Sequence, residues 1–385
     1  MNNKKLFGMI TSWLLAVVLL AGCVVVPQYD IWVPTEPSSS ASSTPSSGAV
    51  SSQPGNEVTP PPSQSTPATT APSQPGTVPP TTPPATQAPT TPPATQTPTT
   101  PPATQTPTTP PADSIPSGSS FAVHFIDVGQ ADAALVLCDG KAMLIDGGNA
   151  PDSNLIYTYL KKQGITHLDY IIGTHAHEDH IGGIPGALQV ATVDTVYCSN
   201  TSYSTKAFKN FVSAVQAKGK SITVPTVGTT FNLGSAVCTI LAVNTDSKDL
   251  NNTSIVMRIV YGETSFLFTG DAEDVVERAL LDKGVALKSD VLKVGHHGSN
   301  SSTTYRFLRE VMPEYAVICV GTDNDYGHPT ENTLSRLRDA DVKTFRTDKQ
   351  GDIICVSDGN TVTFTPSRNA NMDMYQKIGP NSTQS

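Results

Sequence analysis

A long tract with almost nothing to bury constrains this 385-residue chain more than any other feature. From about Val33 to Ser120 the composition is Pro, Thr, Ser, Ala and Gln, and 25 of the 32 prolines lie between Pro27 and Pro116. Glu57 is the sole charge between Pro37 and Ala112, and a nine-residue unit recurs as "TPPATQAPT" from Thr82 and "TPPATQTPT" from Thr91 and Thr100. Such a sequence has too few apolar side chains to offset the entropy of ordering it. The repeat has no hydrophobic face to stack, which excludes a solenoid. As a tether of about 85 residues it reaches roughly 50 Å as a coil and up to about 260 Å as polyproline. Any core must come from Phe121 to Phe364, about 245 residues, enough for one large domain. The expected organisation is a linker over 23–120, a folded domain over 121–365 and a flexible tail over 366–385.

Ahead of the tract, Lys4 and Lys5 precede an apolar run from Leu6 to Leu20, then Leu20-Ala21-Gly22-Cys23. A positive start, a short apolar stretch and small residues describe a secretory signal, slightly short for a membrane span. The Leu-Ala-Gly-Cys ending resembles the lipobox of bacterial lipoproteins, in which the chain is cut before the Cys and the thiol is lipidated. Residues 1–22 are therefore expected to be a signal peptide and Cys23 a lipid anchor on the extracellular face of the cell membrane. An uncleaved apolar anchor is the alternative. The other five cysteines, Cys138, Cys198, Cys238, Cys319 and Cys355, sit in apolar strand-like runs with no CxxC spacing, so they are expected to be buried structural thiols.

Past the tether, β-type runs ("FAVHFIDV", "AALVLC", "KAMLIDGG", "HLDYIIGT", "SIVMRIVY", "SFLFTG", "DVLKVG", "EYAVICVG") interleave with helical patterns at Leu155–Gln163, Lys206–Lys218, Ala272–Asp282, Thr303–Val311 and Glu331–Ala340. Two stacked sheets with helices outside, or an open α/β sheet, both satisfy this alternation. Beyond Asp113 the chain carries 22 basic and 29 acidic residues, a net of −7. An acidic domain is a poor non-specific binder of nucleic acid, so such a partner has to be argued from a site.

That site begins at "THAHEDHIGG", Thr174–Gly183, which holds three of the chain's 8 histidines directly after a strand. At a strand end several side chains can converge on one point. Imidazoles suit zinc, iron, manganese or nickel, and added carboxylates shift the preference toward harder ions. His175-x-His177-x-Asp179-His180 is not the His-Glu-x-x-His zinc-protease signature, because Ile181 stands where the second His would be. Three further strand ends carry acid or imidazole: Asp146 in "MLIDGG", Asp271 in "FLFTGD", and His296 with His297 in "DVLKVGHHGS". One such residue is an ordinary turn; together they point to one rim.

These motifs identify a resemblance to the metallo-β-lactamase superfamily. "FIDVGQADAALV", "NNTSIVMRI", "FLFTGD", "DVLKVGHHGS" and "YGHPT" are together similar to the hydrolase domain of the ComEC family of DNA-uptake proteins. The resemblance runs from about Phe121 to Ile353. It implies an α/β fold, the four-layered αββα sandwich, and a hydrolase using two divalent metal ions, zinc or manganese. Carried over, His175 and His177 bind the first metal, Asp179 and His180 the second, Asp271 bridges them and His296 completes the second site. Asp146 orients the histidine loop, and Asp179, Asp146 and His328 form the catalytic set. His297, Ser299 and Asn251 are expected to face the substrate. Many superfamily members add a ligand His between the opening motif and the bridging Asp, but Ile181–Gly270 contains none. Asn251 or Ser254 is expected in that place.

Two helix starts, after "HHGSNSST" and "YGHPT", are expected to aim their N-termini at the metals and form an anion pocket. His328 would then protonate a leaving oxygen or contact a phosphate. His124 and His167, in strand patterns, are expected to be structural. The function so implied is a cell-surface phosphodiesterase or nuclease acting on DNA. The rivals are hydrolysis of a lactone, thioester or β-lactam by the same centre, and a stalked binding module with a vestigial site. Without a polytopic segment, a role in uptake would require a separate channel.

Overall fold

Alternation along "ALVLC" decides the architecture. The computed structural model describes residues 120–375; the signal peptide, Cys23 and nearly all of the Pro/Thr tract lie outside the described residues. All five residues of the strand Ala134–Cys138 are buried, yet Leu135 and Leu137 enter one apolar cluster while Ala134, Val136 and Cys138 enter another. Successive side chains point to opposite faces, so this sheet is covered on both sides. That excludes a sheet with one face in water.

The strands are β1 Phe121–Phe125, β2 Ala134–Cys138, β3 Lys141–Ile145, β4 His167–Gly173, β5 Thr192–Cys198, β6 Ile222–Thr223, β7 Thr230–Leu233, β8 Ala236–Ala242, β9 Val256–Tyr261, β10 Thr264–Phe268, β11 Val291–Lys293, β12 Tyr315–Ile318, β13 Lys343–Arg346, β14 Ile353–Ser357 and β15 Val362–Pro366. One sheet runs β15-β14-β1-β2-β3-β4-β5-β6 and the other β13-β12-β11-β10-β9-β8-β7. Val123, Phe125, Val136 and Met143 meet Ile240, Met257, Ile259 and Phe266 in the core between them. The helices are α1 Ser153–Lys162, α2 Glu178–Ile181, α3 Ile184–Val190, α4 Lys206–Ala217, α5 Asp274–Lys283, α6 Tyr305–Val311, α7 Glu331–Asp339 and α8 Thr347–Gln350. Ile156, Leu188 and Phe211 of α1, α3 and α4 cover the first sheet. Leu280, Phe307 and Leu334 of α5, α6 and α7 cover the second. This is the expected four-layered αββα sandwich.

β3 pairs parallel with β4, and β10 parallel with β11. Parallel neighbours end at the same edge, so Asp146, Thr174, Asp271 and the His296–His297 loop emerge on one rim. The five domain cysteines are free and buried, as expected. Residues 367–375, placed in a flexible tail by sequence, are instead tied to the domain: Arg346 Nη1 donates to Met374 O at 2.9 Å and Asn369 Nδ2 to Lys349 O at 2.8 Å. Among the described residues no helix is long and apolar enough to cross a membrane.

Candidate metal centre

Small residues bring the rim loops together. Gly183 lies so close to Gly147 that a Cβ would stand 1.9 Å from its carbonyl oxygen. The histidine loop therefore docks onto the "DGG" turn only with glycine at that position. Gly270, at φ +51, sits against Thr174 and delivers Asp271 beside it. Buried Asp146 then fixes the loop, accepting from Thr174 N at 2.7 Å, from Thr174 Oγ1 at 2.8 Å and from His180 Nδ1 at 2.8 Å. With Nδ1 held, His180 presents Nε2 to the centre, the familiar carboxylate–histidine support of a metal ligand.

Asp271 stands between two groups of imidazoles. Its Oδ1 lies 3.3 Å from His180 Nε2, and its Oδ2 lies 3.9 Å from His175 Nε2. His175 Nε2 is 2.9 Å from His177 Nδ1. Asp179 Oδ2 is 3.2 Å from His297 Nε2. Asp179, His180, Asp271 and His297 each offer a donor atom, all within 4.8 Å of one another. Three of those atoms, His180 Nε2, Asp271 Oδ1 and His297 Nε2, are buried without a hydrogen-bond partner. Buried polar atoms rarely stay unpaired, and a shared cation would satisfy all three.

The electrostatics favour positive charge at the same point. Burial works against a protonated His180, but Asp271, Asp146 and Asp179 outweigh it and hold its pKa well above the ordinary value. His297 is likewise opposed by burial yet raised to about 10 by Asp271 and Asp132. His175 goes the other way, driven well down by burial and by the neighbouring His180. Asp271 is held well below the carboxylate range because His180 and His297 overcome the cost of burying it.

The two histidines of "GHHG" take places opposite to those expected. Both are left-handed, His296 at φ 50 and His297 at φ 52, a conformation costing about 1–3 kcal/mol per non-glycine residue. This kink turns buried His297 inward onto Asp179 and Asp271. His296 remains on the cleft wall, 3.6 Å from Asp271 Oδ2 and from Glu273 Oε1, and 3.3 Å from Ser301 Oγ. His297, expected to face substrate, therefore joins the converging group, and His296, expected to complete it, is the more open of the two. Dipeptide spacing could not separate them.

Ser254 links His175 Nδ1 at 3.3 Å to the Asp271 backbone N–H at 3.1 Å, behind the centre. Asn251 instead lines the cleft, its buried Oδ1 lacking a partner. Ser299 does not reach the cleft; its hydroxyl lies 3.0 Å from Ser301 Oγ. The expected pair of free helix N-termini is not formed either. Glu277 accepts from Thr303 N, from Thr304 N at 3.0 Å and from Thr304 Oγ1 at 2.7 Å, filling the start of α6 with a carboxylate. At α7 the N-cap Thr330 takes one first-turn amide, its Oγ1 accepting from Thr333 N at 3.4 Å. His328 does line the cleft, with Gln130, His177, Glu178, Asp179, Asn251, Asp271, His296, His297 and Tyr326, around about 320 Å³ of open volume. Burial, with His296 and His297 nearby, pushes His328 down to about 4, so it is neutral near pH 7 and offers one N–H donor.

Two residues escaped sequence reading. Asp132, buried in "VGQADA", lies with Oδ1 3.1 Å from His297 Nδ1 and Oδ2 2.7 Å from the buried ammonium of Lys293. Burial raises the Asp132 pKa and is overcome by Lys293 and His297, which bring it to about 2. The hydrogen bond that holds His297 Nδ1 runs to the Cys319 carbonyl oxygen at 3.0 Å, and Asp132 stands beside it as the neighbouring charge. The signal was there as an acid and a lysine inside buried apolar runs, but nothing local paired them.

Residues 126–322 match the family model described as Metallo-beta-lactamase superfamily. The chain is 29% identical over 250 residues to ComE operon protein 3 of Bacillus subtilis (strain 168), covering 60% of this chain and 32% of that protein. It is 32% identical over 232 residues to Competence protein ComA of Neisseria gonorrhoeae, covering 60% and 31% respectively. The chain thus spans about a third of the length of these curated relatives. Among solved structures it is similar to the metallo-beta-lactamase fold protein YhfI from Bacillus subtilis, with a TM-score of 0.42 and 15% identity over 62% of this chain and 100% of that one.

Proposed function

The chain belongs to the metallo-β-lactamase superfamily of hydrolases, and from that premise we propose that it is a metal-dependent phosphodiesterase acting on nucleic acid, most directly DNA. The observation carrying this reading is the convergence of the unpartnered His180 Nε2, His297 Nε2 and Asp271 Oδ1 on one point of an open cleft. The residues fit a divalent ion, and His175 and His177 would supply donors for a second. Mixed imidazole and carboxylate donors suit zinc or manganese. When bound, such a pair supplies a Lewis acid and water of lowered pKa.

The chain's own residues would do the rest. Asp146 would orient His180 through Nδ1, and the Cys319 carbonyl, with the Asp132 charge beside it, would orient His297. Asp179 would hold a water proton at the cleft floor. Neutral His328 and Asn251, on the wall, would donate hydrogen bonds to phosphate oxygens. The competence proteins among the relatives support DNA as substrate. The lipobox supports anchoring through Cys23 at the outer membrane face; Cys23→Ser should abolish lipid attachment, and unchanged membrane retention would refute it.

The decisive test is the purified chain with manganese or zinc against DNA, RNA, bis-p-nitrophenyl phosphate and a cephalosporin. Cleavage of the phosphodiesters is expected. Cephalosporin or lactone hydrolysis without phosphodiesterase activity would overturn the substrate assignment.

A further inference from the structure

A hydrolase of a polyanion normally lines its groove with lysine and arginine. This one does not. Neither residue type is among those lining the cleft, which instead carries Glu178, Asp179 and Asp271, in a chain whose net charge beyond Asp113 is −7. Bound cations can hold the scissile phosphate, but they give no grip on the flanking strand. Another attachment is needed.

The cleft wall supplies one. Three rings climb it in offset, near-parallel order. His297, at the centre, faces His328 with centroids 6.4 Å apart and planes 26° apart. His328 faces Tyr326 at 5.6 Å and 23°. Tyr326 ends the series with 72% of its surface exposed, the most open large apolar side chain among the described residues. One face of its ring is backed by His328, and the other is open at the cleft mouth. An isolated surface tyrosine would carry no such meaning, but this one is positioned. Asn324 clamps its loop by donating from Nδ2 to Gly321 O at 2.9 Å and to His328 O at 2.7 Å, and by accepting from His328 N at 3.0 Å. Gln130 Oε1 accepts from Gly321 N at 3.1 Å, fastening the loop to the Asp132 turn.

We infer that Tyr326 is a stacking platform for an unpaired base next to the phosphodiester held in the cleft, making the ligand a single-stranded or frayed nucleic-acid segment. The inference rests on the phosphodiesterase reading above. Stacking on an aromatic face tolerates every base, so the device gives grip without sequence choice, which an acidic domain otherwise lacks. A backed and clamped ring also loses little freedom when a base settles on it.

The test compares KM for a natural oligonucleotide with KM for the same strand made abasic, using the full metal-loaded chain. Wild type should favour the natural strand about tenfold, within the range open to one base–aromatic contact. Tyr326→Ala should bring that ratio close to one, and Tyr326→Phe and Tyr326→Trp should keep it. A strand carrying 2-aminopurine should lose fluorescence on binding wild type and Tyr326→Trp, and keep it with Tyr326→Ala. Retained discrimination in an active Tyr326→Ala protein, or none in active wild type, overturns the stacking role and leaves phosphodiester cleavage standing. Wild type that cleaves no phosphodiester with any divalent ion removes both.

Discussion

Lys293→Met tests whether the buried ion pair behind His297 supports the fold as well as the site. Lys293 Nζ lies 2.7 Å from Asp132 Oδ2, and the two side chains are 5% and 6% exposed. Burial alone would lower the lysine's pKa, but Asp132 more than reverses this, so the ammonium stays charged. Its remaining contact is donation to Val294 O at 2.9 Å. Removing the cation leaves the Asp132 carboxylate in a dry position with His297 as its main support. Breaking such a pair from one side typically costs about 3–5 kcal/mol, mostly from the stranded charge. At about 2–4 °C per kcal/mol for a domain of this size, the melting temperature should fall by roughly 10 °C. Asp132→Asn strands the lysine instead and should cost a similar amount. The double variant leaves neither charge and should be less damaged than the sum, with a coupling of about 2–3 kcal/mol. Urea and thermal unfolding in excess chelator would measure the cycle without contribution from bound ions. Additive losses, or a Lys293→Met protein as stable as wild type, would refute the view that these charges depend on each other.

His297→Ala should remove most of one bound ion per chain by elemental analysis, whereas His296→Ala should remove less; the opposite ranking would restore His296 as the inward ligand. His328→Ala should lower phosphodiester turnover by up to about 10-fold, the scale of one lost hydrogen bond, with metal content near normal; metal loss would place His328 among the ligands instead. Burial holds His124, 3.0 Å from Tyr159 Oη, down to about 4 from an ordinary 6.5. Its neutral form is therefore fully accommodated above pH 6.5. Stability falls as pH drops from 6.5 to 4, by up to about 3 kcal/mol. His124→Gln should remove about one proton from that slope, and an unchanged slope would show that other groups carry it.

Some of this protein was settled by local chemistry. The Pro/Thr tract offers few apolar side chains, and the first described strand begins at Phe121, where the composition changes. Acids and histidines at the ends of apolar strands pointed to one rim, and Asp146, His175, His177, Asp179, His180 and Asp271 do lie together there. Strand-like runs alternating with helices could not choose between one open sheet and two stacked ones. That choice appears only when Leu135 and Val136, neighbours in the chain, enter different cores. Nor could the order of two adjacent histidines say which turns inward. A left-handed kink at both residues does so. The α6 N-terminus looked free until Glu277, from another helix, filled it. Lys293 pairs with Asp132, 161 positions earlier in the chain, for the same reason. Side-chain chemistry and strand ends are local and legible in sequence; which charge meets which, and which ring faces the centre, depends on contacts between distant segments that only the packed sandwich creates.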